Sequence, residues 1–105
     1  MNKYELTDKV IHVNGATLHR IRALRDIPRY HVKAGDLGGW VEKEGNLSQF
    51  GDAWVRVDAV VCGNAKVYDN AFVCGDALVC DNAEVYGNVK ICGTVKVCDN
   101  ACVCG

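Results

Sequence analysis

The sequence predicts an all-β fold, a solenoid of short strands, and three observations carry that prediction. Apolar residues recur every sixth position through the second half of the chain. Most periods are punctuated by Gly or Asp followed by Asn or Asp, residues that accept tight local turns. Upstream, Asn14-Gly15 separates two strand-like runs, the strongest short-range hairpin signal.

The repeat has the form Asn/Asp-Ala-x-Val-x-Gly/Asp from Asp52 onward. Asn64-Ala65-Lys66-Val67-Tyr68-Asp69 is followed by Asn70-Ala71-Phe72-Val73-Cys74-Gly75, then by Asp76-Ala77-Leu78-Val79-Cys80-Asp81. Branched residues recur at Val55, Val61, Val67, Val73, Val79, Val85, Ile91, Val97 and Val103. Two positions before each stands a small residue: Ala53, Ala59, Ala65, Ala71, Ala77, Ala83, and Ala101 near the end, with Val89 and Val95 in the exceptional hexads. Strand side chains alternate between faces, so the Ala and Val of one hexad point the same way. Each hexad is therefore a very short strand and a corner. A period of six built on β-branched residues does not fit the 3.6-residue pattern of a helix.

This pattern resembles the hexapeptide-repeat family, whose motif is an aliphatic residue with a small residue four positions later, as in Val67-Tyr68-Asp69-Asn70-Ala71-Phe72. The resemblance covers roughly residues 45–105. It implies a single-stranded left-handed parallel β-helix in which three hexads close one triangular coil, giving about four coils. The whole chain also resembles small hexapeptide-repeat proteins of bacterial and phage genomes. That match rests on Leu18-His19-Arg20-Ile21-Arg22-Ala23-Leu24-Arg25-Asp26 and on Lys33-Ala34-Gly35-Asp36-Leu37-Gly38-Gly39-Trp40-Val41-Glu42.

A three-hexad coil stacks residues of successive turns about 4.8 Å apart. One outer column then holds Phe50, Tyr68 and Tyr86, followed by Cys104. A second holds Cys62, Cys80 and Cys98 beside Val60, Leu78 and Lys96. A third holds Arg56, Cys74 and Cys92 beside Trp54, Phe72 and Lys90. The Val60/Leu78 and Trp54/Phe72 columns are apolar for an outer surface. Such patches mark interfaces, so each is expected to be covered by a partner or by the N-terminal segment. The last repeat, with Ala101, Cys102, Val103 and Cys104, presents unpaired strand groups and an apolar cross-section. End-to-end pairing of two chains is the economical cover, hence a homo-oligomer, a dimer in its simplest form.

Residues 1–34 do not repeat. A hairpin around Asn14-Gly15, then a link through Pro28, is expected to cap a β-helix occupying 35–105. In strict phase Lys43 and Gln49 would point inward, so the first coil should break register. Arg20, Arg22, Arg25 and Arg29 cluster here with Lys33 and could hold an anionic small molecule such as a nucleotide. The competing reading pairs them with acidic side chains: from Gly51 onward the chain carries seven acidic and four basic residues.

Composition excludes several classes. The 105 residues are half hydrophobic with a formal net charge of −1, which argues against disorder and gives no reason to expect nucleic acid. No apolar run is long enough to span a bilayer, and Met1-Asn2-Lys3-Tyr4-Glu5 does not read as a signal peptide, so a cytoplasmic location is expected. The seven cysteines follow the repeat and are read as reduced. They form no CxxC pair, so neither metal nor cofactor is expected. Relatives in the hexapeptide-repeat family include acyltransferases with a catalytic histidine and carbonic anhydrases with three metal-binding ones. This chain has no histidine after His31, so no enzyme is expected. The sequence thus points to a non-enzymatic binding protein, for example a phage- or prophage-borne inhibitor of a host protein. Val60, Cys62, Leu78, Cys80, Phe50, Tyr68 and Tyr86 are its candidate contact residues. A nucleotide-binding sponge is the alternative, and an acyltransferase-like enzyme a distant third.

Overall fold

A computed structural model describes residues 2–105. The hairpin forms as the Asn-Gly signal predicts: β1 (Tyr4–Val13) pairs antiparallel with β2 (Ala16–Ala23). Asn14 and Gly15 both take positive φ, 50° and 85°, the requirement of a two-residue turn that matches strand twist. After a 3-10 turn at Pro28–Tyr30 comes β3 (Leu37–Val41). The hexads follow as β4 (Trp54–Val55), β5 (Val60–Val61), β6 (Lys66–Val67), β7 (Phe72–Val73), β8 (Leu78–Val79), β9 (Glu84–Tyr86), β10 (Lys90–Ile91), β11 (Lys96–Val97) and β12 (Cys102–Cys104). No α-helix occurs among the described residues.

The strands stack in parallel into a β-solenoid of about four turns with three faces: β3-β5-β8-β11, β4-β7-β10, and β6-β9-β12. Every inward Ala from Ala53 to Ala83 and every inward Val from Val55 to Val85 is buried. The corners turn through positive φ at Asp69, Asp81 and Asp99 and at Gly51, Gly63, Gly75, Gly87 and Gly93. The hairpin joins the solenoid edge-on. β2 pairs with β3, so the first face is a six-stranded sheet, β1-β2-β3-β5-β8-β11. Tyr4, Ile21, Ala23 and Ile27 enter the same core as the repeat.

The first coil does break register, by two residues. Trp40 pairs with Val60, Val41 with Val61 and Leu47 with Val67, whereas Trp54 pairs with Phe72 at the regular interval. Val41 and Leu47 therefore fill the inward positions, and Lys43 stays exposed. The additional residues lie between Ser48 and Gly51, where Gln49 reaches the N-terminal segment. Its Oε1 accepts from the Lys3 and Tyr4 amides (2.8 and 3.2 Å), and its Nε2 donates to the Tyr4 carbonyl (3.2 Å).

The top of the solenoid is closed by two side chains that satisfy carbonyls left over by the first coil. The Tyr4 hydroxyl donates to the Leu47 carbonyl at 2.6 Å, with the Glu44 carbonyl 2.8 Å away. The Lys3 ammonium is buried and donates to the Ala53 carbonyl at 2.6 Å. Desolvation, and then the charge of Arg25, bring the Lys3 pKa from 10.5 down to about 8, against the pull of Asp52. Between those values the unfolded chain binds more protons than the folded one, so stability rises with pH from about 8. Above about 10 the trend reverses. Burial, and then Glu44, raise the Tyr4 pKa, so the folded chain keeps a proton that the unfolded chain releases. Urea unfolding is expected to show higher stability at pH 9 than at pH 7. Lys3→Met should abolish that rise; an unchanged rise in the variant would exclude Lys3 as its source.

Candidate functional site

The two apolar outer columns meet different fates. On the β4-β7-β10 face, the N-terminal segment lies over the column. Tyr30 stacks on Phe72 with ring centroids 4.2 Å apart and planes 15° from parallel, and its hydroxyl donates to the Asn70 carbonyl. Trp54 and Phe72 are consequently buried. Arg25 and Arg29 fasten this segment, both facing Asp52 at 3.6 and 3.3 Å, while Arg25 also donates to the Gly51 carbonyl at 2.7 Å.

On the six-stranded face the column stays open. Val60, Cys62, Leu78 and Cys80 line one groove of about 310 Å³ together with Val13, Asn14, Ala16 and Leu18 of the hairpin. Leu18, on β2, is fully buried there, whereas Val60, Leu78, Cys62 and Cys80 are only partly buried. Glu42, Asp81 and Lys96 also line it. The hairpin wall was not foreseen from the sequence, because periodicity places repeats against one another and says nothing of where a hairpin docks.

Two of the expected columns change. Phe50 leaves the tyrosine column: the register shift puts Ser48 above Tyr68, its amide donating to the Val67 carbonyl at 2.9 Å, and Phe50 is 84% exposed in the extra loop. Tyr68 and Tyr86 do stack, centroids 4.9 Å apart, and the Tyr68 hydroxyl donates to Glu84 at 2.7 Å. That hydrogen bond is the chief reason its pKa is pushed up to about 12. Cys104 lies below Tyr86 as expected. The second change is in the thiols. Cys74 and Cys92, expected reduced, are disulfide-bonded. In-register stacking places their Cα atoms 4.5 Å apart, inside the range a disulfide spans. The bond clips the second repeat coil to the third. Cys62, Cys80, Cys98, Cys102 and Cys104 are free. Burial, and next their stacked thiol neighbours or nearby carboxylates, raise the pKa of Cys62 and Cys80, which disfavours the thiolate that a metal or an electrophile needs.

The arginines are engaged within the chain. Arg20 stacks over the Trp40 ring at 4.3 Å and donates to the Gly38 and Val57 carbonyls (2.9 and 2.8 Å). Arg22 pairs with Glu5. The partners are Glu5, on the neighbouring strand, and Asp52, one of the acidic residues of the repeat half that the competing reading named. Asp36 caps the Lys33 amide at 2.9 Å.

Other candidates are thinner. His12 contacts the Thr17 hydroxyl (3.1 Å) and His19 the Thr7 carbonyl (3.3 Å), both on the hairpin. Among the described residues, one group of potential metal ligands occurs, Asp81, Cys98 and Asp99, and the Asp81 carboxylate there already accepts the Asp99 amide at 3.0 Å. At the last coil Ala101, Cys102 and Cys104 are exposed and Val103 is half-buried. No helix of the described residues is long and apolar enough to cross a membrane. Comparison with protein-family models and with curated proteins finds no match to this chain.

Proposed function

We propose that this chain is a non-enzymatic binding protein of the hexapeptide-repeat type. It receives an apolar segment of a protein partner in the groove between the hairpin and the six-stranded face. One contrast carries the reading: two apolar columns of the same repeat stand on different faces, the chain's own Tyr30 segment covers one, and the other is left as an open groove. An apolar groove with a few charged side chains in its lining suits a protein contact. The narrower version, a phage- or prophage-borne inhibitor acting on a host protein in the cytoplasm, rests on the sequence resemblance. The nucleotide sponge draws less support, because Arg20, Arg22, Arg25 and Arg29 already have partners.

Leu78→Asp tests the proposal. The side chain points away from the solenoid core, so the melting temperature should stay within a few degrees of wild type. Capture of a partner from host lysate should fall at least about tenfold, because the carboxylate is desolvated in the contact. Equal capture by both proteins would remove the groove from consideration. A nucleotide that raises the wild-type melting temperature, and fails to raise that of Arg22→Glu, would favour the sponge instead.

A further inference from the structure

The longest strand of the molecule is also the one with a bare edge. β1 ends the six-stranded sheet and pairs only with β2. A bulge at Thr7–Lys9 divides it: Leu6 pairs with Ile21, the next regular pair is Val10 with His19, and the Thr7 hydroxyl donates to the Arg20 carbonyl at 2.7 Å across the gap. Beyond the bulge, Val10–Val13 runs straight to the turn. It carries no Asp, Glu, Lys or Arg, and Val10, Ile11 and Val13 are 39%, 37% and 44% exposed. Edge strands in proteins are ordinarily blunted by charge, proline or a covering element. Here Lys9 and the bulge guard only the near half.

We propose that the Val10–Val13 edge pairs antiparallel with the same edge of a second copy, joining two six-stranded sheets across a two-fold axis that passes between the two Ile11 residues. Hydrogen-bond parity selects this register. In a hairpin with a two-residue turn the flanking residues, Val13 and Ala16, exchange hydrogen bonds, so Ile11 and Leu18 do as well. The amide and carbonyl groups of Val10 and His12 therefore point outward. Antiparallel partners must match outward groups with outward groups. Val10 opposite Val10 would drive Asp8 of the bulge into the ladder, and His12 opposite His12 would need Asn14, which sits in the turn at φ 50°. Val10 opposite His12 satisfies all the outward groups of the straight segment, makes about four inter-chain bonds, and faces Ile11 with its own copy. The contact holds no Asp, Glu, Lys or Arg and is identical on both sides, as a closed two-fold dimer requires. It does not rest on the groove proposal, although Val13 belongs to both surfaces, and it is distinct from the end-to-end pairing expected at Ala101–Cys104.

Sedimentation of the full chain across a concentration series, with reductant present, should show a reversible dimer. Ile11→Lys, which sets two ammonium groups against each other on the axis, should weaken it at least about tenfold. Val10→Pro removes one outward amide without touching the β1–β2 ladder and should weaken it too. Ile11→Cys incubated with oxidised glutathione should give a reductant-sensitive cross-linked dimer, since non-hydrogen-bonded partners lie about 4.5 Å apart at Cα. Leu24→Cys, exposed elsewhere, should not exceed wild type. A monomer at the highest concentration, or a dimer that survives Ile11→Lys and dissociates in Ala101→Lys, would overturn the proposal.

Discussion

Asn46→Ala is expected to destabilise the fold by about 3–5 kcal/mol, lowering the melting temperature by roughly 15 °C or more. Asn46 is completely buried and uses its whole hydrogen-bonding capacity. Its Oδ1 accepts from the Glu42 and Lys43 amides at 3.0 and 2.9 Å, and its Nδ2 donates to the Gly63 and Ala65 carbonyls at 3.2 and 2.8 Å. The first coil turns through a 3-10 segment at Glu44–Asn46, where later coils have strands β6 and β9. One side-chain amide thus replaces a stretch of ladder that the backbone does not make. Truncation leaves amides and carbonyls of two coils unpaired in a dry place, the costly case. Asn46→Asp separates the donor from the acceptor role. A carboxylate still accepts from the two amides but confronts two carbonyl oxygens. Its folded-state pKa should be raised, so the lost stability should partly return as pH falls and the acid becomes a donor. Chemical denaturation at pH 7 and pH 4, referenced to wild type at each pH, measures both effects. An Asn46→Ala protein within 1 kcal/mol of wild type would show that the amide is dispensable.

How much of this was legible depended on whether a residue acts through the period or against it. The inward Ala and Val rows, the positive-φ corners and the cysteine columns are consequences of a repeat, and a repeat is visible in one sequence. The Asn14-Gly15 hairpin was visible because its turn chemistry is local. The register break was visible as a conflict, with Lys43 and Gln49 in inward phase, but its solution was not. The two-residue shift that brings Val41 and Leu47 inward is stabilised by Asn46, Gln49, Lys3 and Tyr4, whose contacts span forty or more residues of chain in the case of the N-terminal pair. Long-range polar contacts leave no pattern in a single sequence. The same holds for the groove. Val60, Cys62, Leu78 and Cys80 were grouped by spacing alone, whereas the wall supplied by Val13, Ala16 and Leu18 follows from β2 pairing with β3. The fates of the two apolar columns were open for that reason: only the fold shows Tyr30 stacked on Phe72 and Leu78 lining a groove beside the hairpin.

Gly39→Ala should be nearly as damaging, at about 2–4 kcal/mol, although it adds a single methyl group. Gly39 precedes Trp40 as Ala59 precedes Val60, its partner strand, so it holds the place that a small inward alanine holds in later coils. Alanine itself does not fit there. A Cβ on Gly39 would lie 2.4 Å from the Arg56 carbonyl oxygen, 2.5 Å from that of Ala59 and 2.7 Å from a Val55 methyl. Two of these atoms are backbone at a corner tied by the Ala59 amide to the Arg56 carbonyl (2.9 Å), so no rotamer change relieves the clash. Either the corner opens or β3 lifts from β5. Lifting β3 also loosens β2, and with it the Leu18 wall of the groove, so partner capture should fall together with stability in Gly39→Ala. Leu78→Asp is expected to lose capture alone. Gly45→Ala is the matched control: nothing lies within 4 Å of the added atom, and its melting temperature should equal wild type or rise slightly. Thermal melts of the three variants beside the capture assay separate the two kinds of damage. Should Gly39→Ala melt like Gly45→Ala, the first coil would have to be looser than its carbonyl spacing requires, and the hairpin could not be the rigid wall on which the groove depends.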